Sequence, residues 1–245
     1  MNILSVITTT KIASVCVTKG YEWYLNEISN EVTHSEKLLP AIDEALSKQN
    51  MTLKDIDLYA TINGPGSFTG IRIGLASIKA FAMIDKKNIF SISSNMLIEM
   101  TGYLKSDYFK EKKEAYVVSL IDAKNLRVYY SVSKIKLNEN NKLEISNVLN
   151  IDNEDIDDAL LKVSKLLKNN ENVIFCGDCI NTYSSKISNI SNTLIDYYPN
   201  SKDLIDAYNF LDNTKDYLFD TYTLDANYVR PSQAERMLEN GNKKA

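Results

Sequence analysis

The chain has 245 residues, with 28 Lys and Arg against 32 Asp and Glu and a formal charge of −4. That length suffices for one large domain or two small ones, with a core that needs neither metal nor disulfide to hold it. Apolar residues make up 44%, and Gly (8) and Pro (4) are few, which excludes a collagen-like or linker-rich chain; the mild acidity gives no sign of a nucleic-acid binder.

Residues 2–7 read as a strand, 11–19 as a second and 21–28 as a third, on their β-branched and aromatic content. Thr8-Thr9-Thr10 makes a polar turn between the first two, and three short strands in a row predict an antiparallel meander. The period then changes. Leu38, Leu39, Ile42, Ala45 and Leu46 recur at helical spacing up to about residue 49, with Ser35 as N-cap. A short apolar strand over 56–62 ends in Asn63-Gly64-Pro65-Gly66-Ser67-Phe68-Thr69-Gly70. The helix after it, 70–83, carries Ile71, Leu75, Ile78 and Ala82 in one stripe. Residues 89–92 form a strand, and 95–104 a helix capped by Ser93 or Ser94. The order βββαβαβα predicts an α/β sheet with an antiparallel start and a parallel finish.

The mixed charges of 105–114 mark a solvated connection and a domain boundary, giving units 1–108 and 109–245. In the second unit, 115–121 and 126–135 pair as a hairpin and 143–151 adds a strand. Residues 155–167 form an amphipathic helix, 173–176 a buried strand and 203–211 a helix. The pattern leaves the order between 180 and 225 open and shows no internal repeat; the polar tail from Glu239 is expected to fray. No run reaches about 18 apolar residues. Met1 enters an apolar run without a basic n-region. The three cysteines, Cys16, Cys176 and Cys179, fit a reducing compartment. A cytoplasmic location without membrane contact is expected.

The Gly-rich segment joins a strand to a helix, and such a turn suits either an anion at a helix N-terminus or the close approach of two backbones. No Gly-Lys-Ser/Thr follows, the spacing of Gly64, Gly66 and Gly70 misses the dinucleotide fingerprint by one residue, and Ser67 stands in no Gly-x-Ser-x-Gly elbow. These departures favour the structural turn. The next helix has Gly70 and Gly74 four apart, with Ala76 and Ala80 also small, and such residues permit close helix approach, either in core packing against the sheet or at a partner surface. Arg72 stands at the positive end of that helix and is expected to pair with a carboxylate. His34 is the only histidine, so a multi-histidine metal site within this chain is excluded. Cys176-Gly177-Asp178-Cys179 has CxxC spacing, but the first cysteine closes an apolar strand, against a redox role. Asp122 and Asp178 are the carboxylates a catalytic reading would use.

Read together, these segments resemble the TsaB (YeaZ) family. The matching runs are Ile3-Leu4-Ser5-Val6, His34-Ser35-Glu36-Lys37-Leu38-Leu39-Pro40 and, above all, residues 63–79, NGPGSFTGIRIGLASIK. Ser91-Ile92-Ser93-Ser94, Ile121-Asp122-Ala123-Lys124 before Val128-Tyr129, and Tyr228-Val229-Arg230-Pro231 extend them along nearly the whole chain. The resemblance implies an α/β fold of the ASKHA (actin and Hsp70-like) superfamily, two RNase H-like halves with the second reduced. It also implies a non-catalytic subunit without a cofactor of its own. Its partner, a TsaD-like subunit, carries metal, nucleotide and catalysis, and transfers threonylcarbamoyl to N6 of adenosine 37 in tRNAs reading codons that begin with A. Family members meet that partner through the two helices after the early strands. A TsaE-like ATPase docks on the pair, a homodimer forms through the same surface when the partner is absent, and tRNA is reached only through the complex.

Two departures fit a non-catalytic role. The helix after residues 89–92 opens Ser93-Ser94-Asn95 where a TsaD-like metal site has His-x-x-x-His, and Ile7 stands where many relatives keep an Asp. On the two helices, Leu38, Leu39, Ile42, Gly70, Ile71, Gly74, Leu75 and Ile78 are the candidate residues of a partner surface, although some of the stripe must face the sheet, and a bulky residue at Gly74 is expected to block docking while leaving the monomer folded. The alternative is a stand-alone ATP-dependent phosphotransferase of the same fold. A glycopeptidase lacks a zinc motif and a histidine for Ser67, and direct tRNA binding lacks a basic and aromatic stripe.

Overall fold

The computed structural model describes residues 1–10, 12–29, 34–168 and 172–230, the side chains of His34 and Ser35 apart. The expected start of the second strand at Lys11, Pro231 and the tail from Glu239 therefore lie outside what is described, and the first helix already begins at His34, which places Ser35 within it and not at its cap.

The first lobe runs β1 (Ile3–Ile7), β2 (Ala13–Lys19), β3 (Glu22–Ile28), α1 (His34–Lys48), β4 (Leu58–Ile62), α2 (Phe68–Asp85), β5 (Ile89–Ile92) and α3 (Ser94–Lys105). Its sheet has the order β3-β2-β1-β4-β5. The meander is antiparallel, with Val6 opposite Val15, and the finish is parallel, with Val6 beside Thr61. Both faces of β1 are buried. Leu4 and Val6 point to α1 and α2, while Ile3 and Ile7 point to the other lobe. A strand covered on both sides reads as a continuous apolar run.

After the short α4 (Asp107–Lys110) the pattern begins again: β6 (Ala115–Asp122), β7 (Arg127–Leu137), β8 (Leu143–Asp155), α5 (Ile156–Leu166), β9 (Val173–Gly177), α6 (Ile180–Ile187), β10 (Thr193–Asp196) and α7 (Ser201–Phe210). The second sheet has the order β8-β7-β6-β9-β10, strand for strand that of the first. The internal repeat is thus one of topology, carried by no matching residues. The second lobe is slighter in its helices, with eight residues in α6 against 18 in α2. Finally β11 (Leu218–Phe219) returns to the first sheet and pairs with the edge of β5.

The last helix of each lobe packs on the sheet of the other. Helix α3 lies against β6, β7 and β9, and α7 against β1, β2 and β4. The two helices also touch, so one apolar core joins Ile3 and Phe90 of the first sheet, Val117 and Ile174 of the second, Leu97 and Met100 of α3, and Leu204 of α7. Local caps fix where these helices start. Ser93 caps α3 by accepting from the Met96 N–H at 3.1 Å. In α7 the Asn200 side chain accepts from the N–H groups of Lys202 and Asp203, and Asp203 accepts in return from the Asn200 N–H at 2.8 Å.

Because both lobes share this core, Leu97→Ala and Leu204→Ala should each lower unfolding stability by about 2–5 kcal/mol while leaving a single urea transition by far-UV dichroism and Trp23 fluorescence. Two separated transitions would contradict the shared core.

Candidate functional site

Between the lobes lies a cleft of about 760 Å³, walled on one side by the turn after β1 and the start of α2, and on the other by the ends of β6 and β9. The Gly-rich segment shapes the first wall. An added Cβ at Gly70 would stand 2.0 Å from the Thr8 carbonyl oxygen, and at Gly74 2.6 Å from the Thr8 hydroxyl oxygen. The glycines let the 8–10 turn lie directly on the helix. Hydrogen bonds complete the contact: the Thr8 hydroxyl donates to the Gly70 carbonyl at 2.7 Å, and the Ser67 N–H donates to the Thr9 carbonyl at 3.0 Å. Ser67 caps α2 by accepting from the Gly70 N–H at 3.2 Å. Two donors that an anion would need are therefore spent within the chain. The segment is a backbone-packing device, the structural of its two sequence readings.

The second wall carries two carboxylates. The Asp122 N–H donates to Asp178 Oδ1 at 2.9 Å, while the Asp122 carboxylate accepts from the Lys124 N–H at 2.8 Å and pairs with its ammonium at 3.0 Å. Enclosure in the cleft holds the Asp178 carboxyl above the ordinary 3.8, with the Asp122 N–H opposing and the Asp122 charge adding. At the floor, the Tyr198 hydroxyl lies 3.4 Å from the Thr9 hydroxyl, and burial raises it to about 12. Burial pushes the Cys176 thiol up to about 12 and raises Cys179 as well, so both stay protonated at neutral pH. All three cysteines are buried and unbridged. No group of three or more His, Cys, Asp or Glu is placed to hold a metal among the described residues.

Most of the candidate stripe turns to the sheet. Leu38 and Ile42 of α1 and Ile71, Leu75 and Ile78 of α2 are buried against the first sheet, with Val15 and Tyr59. Gly70 and Gly74 face the turn after β1. Among these eight residues only the α1 residue Leu39 is exposed, at 54%. The expectation that a bulky residue at Gly74 leaves the monomer intact is corrected by its contact with Thr8. Arg72 also departs from expectation. Its guanidinium lies 4.1 Å from the centre of the Phe68 ring and its Nε donates to the Tyr228 hydroxyl at 3.1 Å, so among the described residues aromatic rings, and not a carboxylate, offset the helix end. Phe68 and Tyr228 stack with centroids 4.6 Å apart.

The outward side of α2 carries the small residues Ala76 and Ala80 that the sequence singles out. Ala76 and Ala80, four apart, are exposed, and Met83 (55%) and Ile84 (79%) continue the row. Its signal in the sequence was an 18-residue helix with apolar residues all round, which a helix half open to water does not need. The segment before residue 230 braces this helix: Leu224 is buried in the first-lobe core and its carbonyl accepts from the Lys79 ammonium at 2.6 Å.

The family described as TsaD, tRNA N6-adenosine threonylcarbamoyltransferase, matches residues 29–211, well over half of the chain. The chain belongs to this family. Within it, the similarity places the chain with TsaB/YeaZ. The "tRNA threonylcarbamoyladenosine biosynthesis protein TsaB" of Haemophilus influenzae is 31% identical over 132 residues, covering 54% of this chain and 53% of that protein. The chain spans about half the length of the curated relatives it matches. A tRNA N6-adenosine threonylcarbamoyltransferase of Protochlamydia amoebophila is 40% identical over 60 residues, 24% of this chain and 18% of that one. In structure, YeaZ from Pseudomonas aeruginosa superposes with a TM-score of 0.72 at 17% identity, over 93% of this chain and 99% of that one. The fold is of the ASKHA type.

Gly70→Ala should abolish or cripple folding, since its Cβ has no room beside the Thr8 carbonyl. Ser67→Ala removes one cap and should cost only about 1 kcal/mol. Thermal melts of the two variants side by side check this ordering.

Proposed function

We propose that this chain is a non-catalytic subunit of tRNA threonylcarbamoyladenosine biosynthesis. It binds and activates a TsaD-like catalytic subunit, which modifies N6 of adenosine 37 in tRNAs reading codons that begin with A. The observation that carries the reading is the outward side of α2. Ala76 and Ala80 leave room for another helix to approach closely, Met83 and Ile84 continue the row with exposed apolar area, Leu39 of α1 is exposed as well, and the opposite side of α2 is already committed to the core. The buried residues Leu38, Ile42, Ile71, Leu75 and Ile78, with Gly70 and Gly74, serve this surface by setting the height and tilt of the two helices. The same face would pair two copies when the partner is absent, and a TsaE-like ATPase would join the assembled pair.

The sequence around the cleft supports a non-catalytic role. β1 ends in the buried Ile7, α3 opens Ser94-Asn95 without histidine, and the glycine segment uses donors on its own neighbour. Adenosine 37 is then reached through the partner. No helix among the described residues is long and apolar enough to cross a membrane, in keeping with a cytoplasmic place of action. One observation favours a second reading, a stand-alone phosphotransferase: Asp122 and Asp178 stand side by side in the cleft, where such an enzyme would need carboxylates for Mg²⁺ and for a base.

Ala80→Arg should weaken binding of the TsaD-like protein of the same organism by tenfold or more in calorimetry, with an unchanged melting temperature. A modification assay with each component left out should lose activity without this chain. ATP turnover by the isolated chain, lost in Asp178→Asn, would favour the second reading.

A further inference from the structure

Where α3 meets the second sheet, the contact is not apolar throughout. Glu99, on the side of α3 that faces the other lobe, is 2% exposed. Its carboxylate takes hydroxyl donors from two strands of the second sheet. Ser119 of β6 donates to Oε1 at 2.9 Å, Ser131 of β7 donates to the same oxygen, and Ser133 of β7 donates to Oε2 at 2.5 Å. Ser119 also lies 2.9 Å from Ser131 and accepts from the Asn95 side-chain amide at 2.9 Å. Among the described residues no cation is a partner of the carboxylate. This cluster is a bond between lobes, since the acid belongs to the first and all three serines to the second.

The titratable groups on the elements around it are engaged elsewhere. On α3, the Tyr103 hydroxyl donates to the Lys113 carbonyl, and the Lys105 ammonium lies 4.2 Å from the centre of the Tyr197 ring. On α4, Asp107 pairs with Lys110. On α7, Asp203 accepts from the Tyr197 hydroxyl, Asp206 pairs with Lys202, and Tyr208 packs its ring against Phe90. From β9 comes the Cys176 thiol, protonated at neutral pH, and from β7 the Tyr129 phenol beside Ile98.

We propose that Glu99 makes the junction between the lobes a proton-operated lock, tight when the carboxyl is neutral and looser when it is charged. A buried charge without a cation is costly, and three hydroxyl donors offset only part of that cost. The neutral acid escapes it. When a proton binds at an oxygen of the carboxyl, the acid becomes a donor, and the serine it displaces can turn its own hydrogen to its neighbour, because Ser119 and Ser131 are within hydrogen-bond distance. Glu99 and its three serines thus keep their hydrogen bonds in both states, which differ by one proton exchanged with solvent. The direction agrees with burial lifting the carboxyl from its ordinary 4.5 to about 7, against the lowering effect of the three serines. A folded value above the unfolded one means that this contribution to stability is complete below about 4.5, falls as pH rises towards 7, and is level above.

The test is a carbon-13 titration of the Glu99 carboxyl in the intact chain, with hydrogen exchange and melting measured from pH 4.5 to 8.5. The expected midpoint lies near neutrality. Ser133→Ala, which removes a donor to the charged form, should move it upward. Protection of α3 and β6, corrected for intrinsic exchange rates, should fall by a factor on the order of 10² between the acid and alkaline ends, and Glu99→Gln should remove that slope. A midpoint near 4.5 in the folded protein, or a pH slope of protection that Glu99→Gln leaves unchanged, would overturn the lock. Should Glu99→Gln fail to fold, the wild-type midpoint and its displacement in Ser133→Ala decide alone.

Discussion

Two sheets of the same strand order are held together because each gives its last helix to the other. The cleft, the shared core and the placement of the outer helices all depend on that exchange. A sheet with helices on one face only would leave Ile3, Ile7 and Phe90 in water. The lobe's own α3 does not cover them alone; α7 of the opposite lobe lies across β1, β2 and β4. The same geometry presses α3 onto β6, β7 and β9. The cleft therefore has walls that cannot drift apart without opening an apolar core, and its floor residues, Thr9 and Tyr198, come one from each lobe. Hydrogen bonds repeat the exchange, since the Ser201 N–H at the head of α7 donates to the Ser14 hydroxyl of β2 at 2.9 Å.

The wall of the cleft shows how one sequence motif can look like a ligand site and act as a joint. Glycines at a strand-to-helix turn are what an anion cradle requires, and they are equally what a second backbone requires. Here the second backbone is Thr8-Thr9-Thr10, which occupies the space a Cβ would fill. Fixing that turn also fixes where β2 begins and how α2 lies on the sheet. The outward side of α2 is thereby held at a defined height, with Leu224 and the Tyr228–Arg72–Phe68 stack bracing its flank.

Much of the architecture was legible in the residues. The strand at 89–92 has the bounds the pattern predicts, and the meander, the hairpin and α5 fall within a few positions. The strands of the first sheet were readable because their apolar runs are short and end in polar turns. The region from 180 to 225 was less so: α6 has eight residues, β10 is half-exposed, and neither gives a clear period. A local signal was present at Asn200-x-x-Asp203, the reciprocal cap that starts α7. Which stripe residues face a partner stays open in the sequence for a physical reason. Periodicity finds the apolar side of a helix but does not say whether a sheet or a second protein covers it, and Ile71, Leu75 and Ile78 went to the sheet. Glu99 was invisible to pattern, because its three donors are spread over two strands, from Ser119 to Ser133, and meet only through the hairpin.

The return of the chain to its beginning has a consequence for how the molecule is made. Both α7 and β11, residues 201–210 and 218–219, complete the sheet that residues 3–7 begin. During synthesis the amino-terminal half leaves the ribosome with one face of its sheet uncovered and the edge of β5 unpaired, and it stays so while about a hundred further residues are translated, for several seconds or more. Such an intermediate offers apolar surface and free strand hydrogen bonds to any neighbour. The cell's chaperones, and the rate at which codons for the second half are read, thus bear directly on the yield of the first.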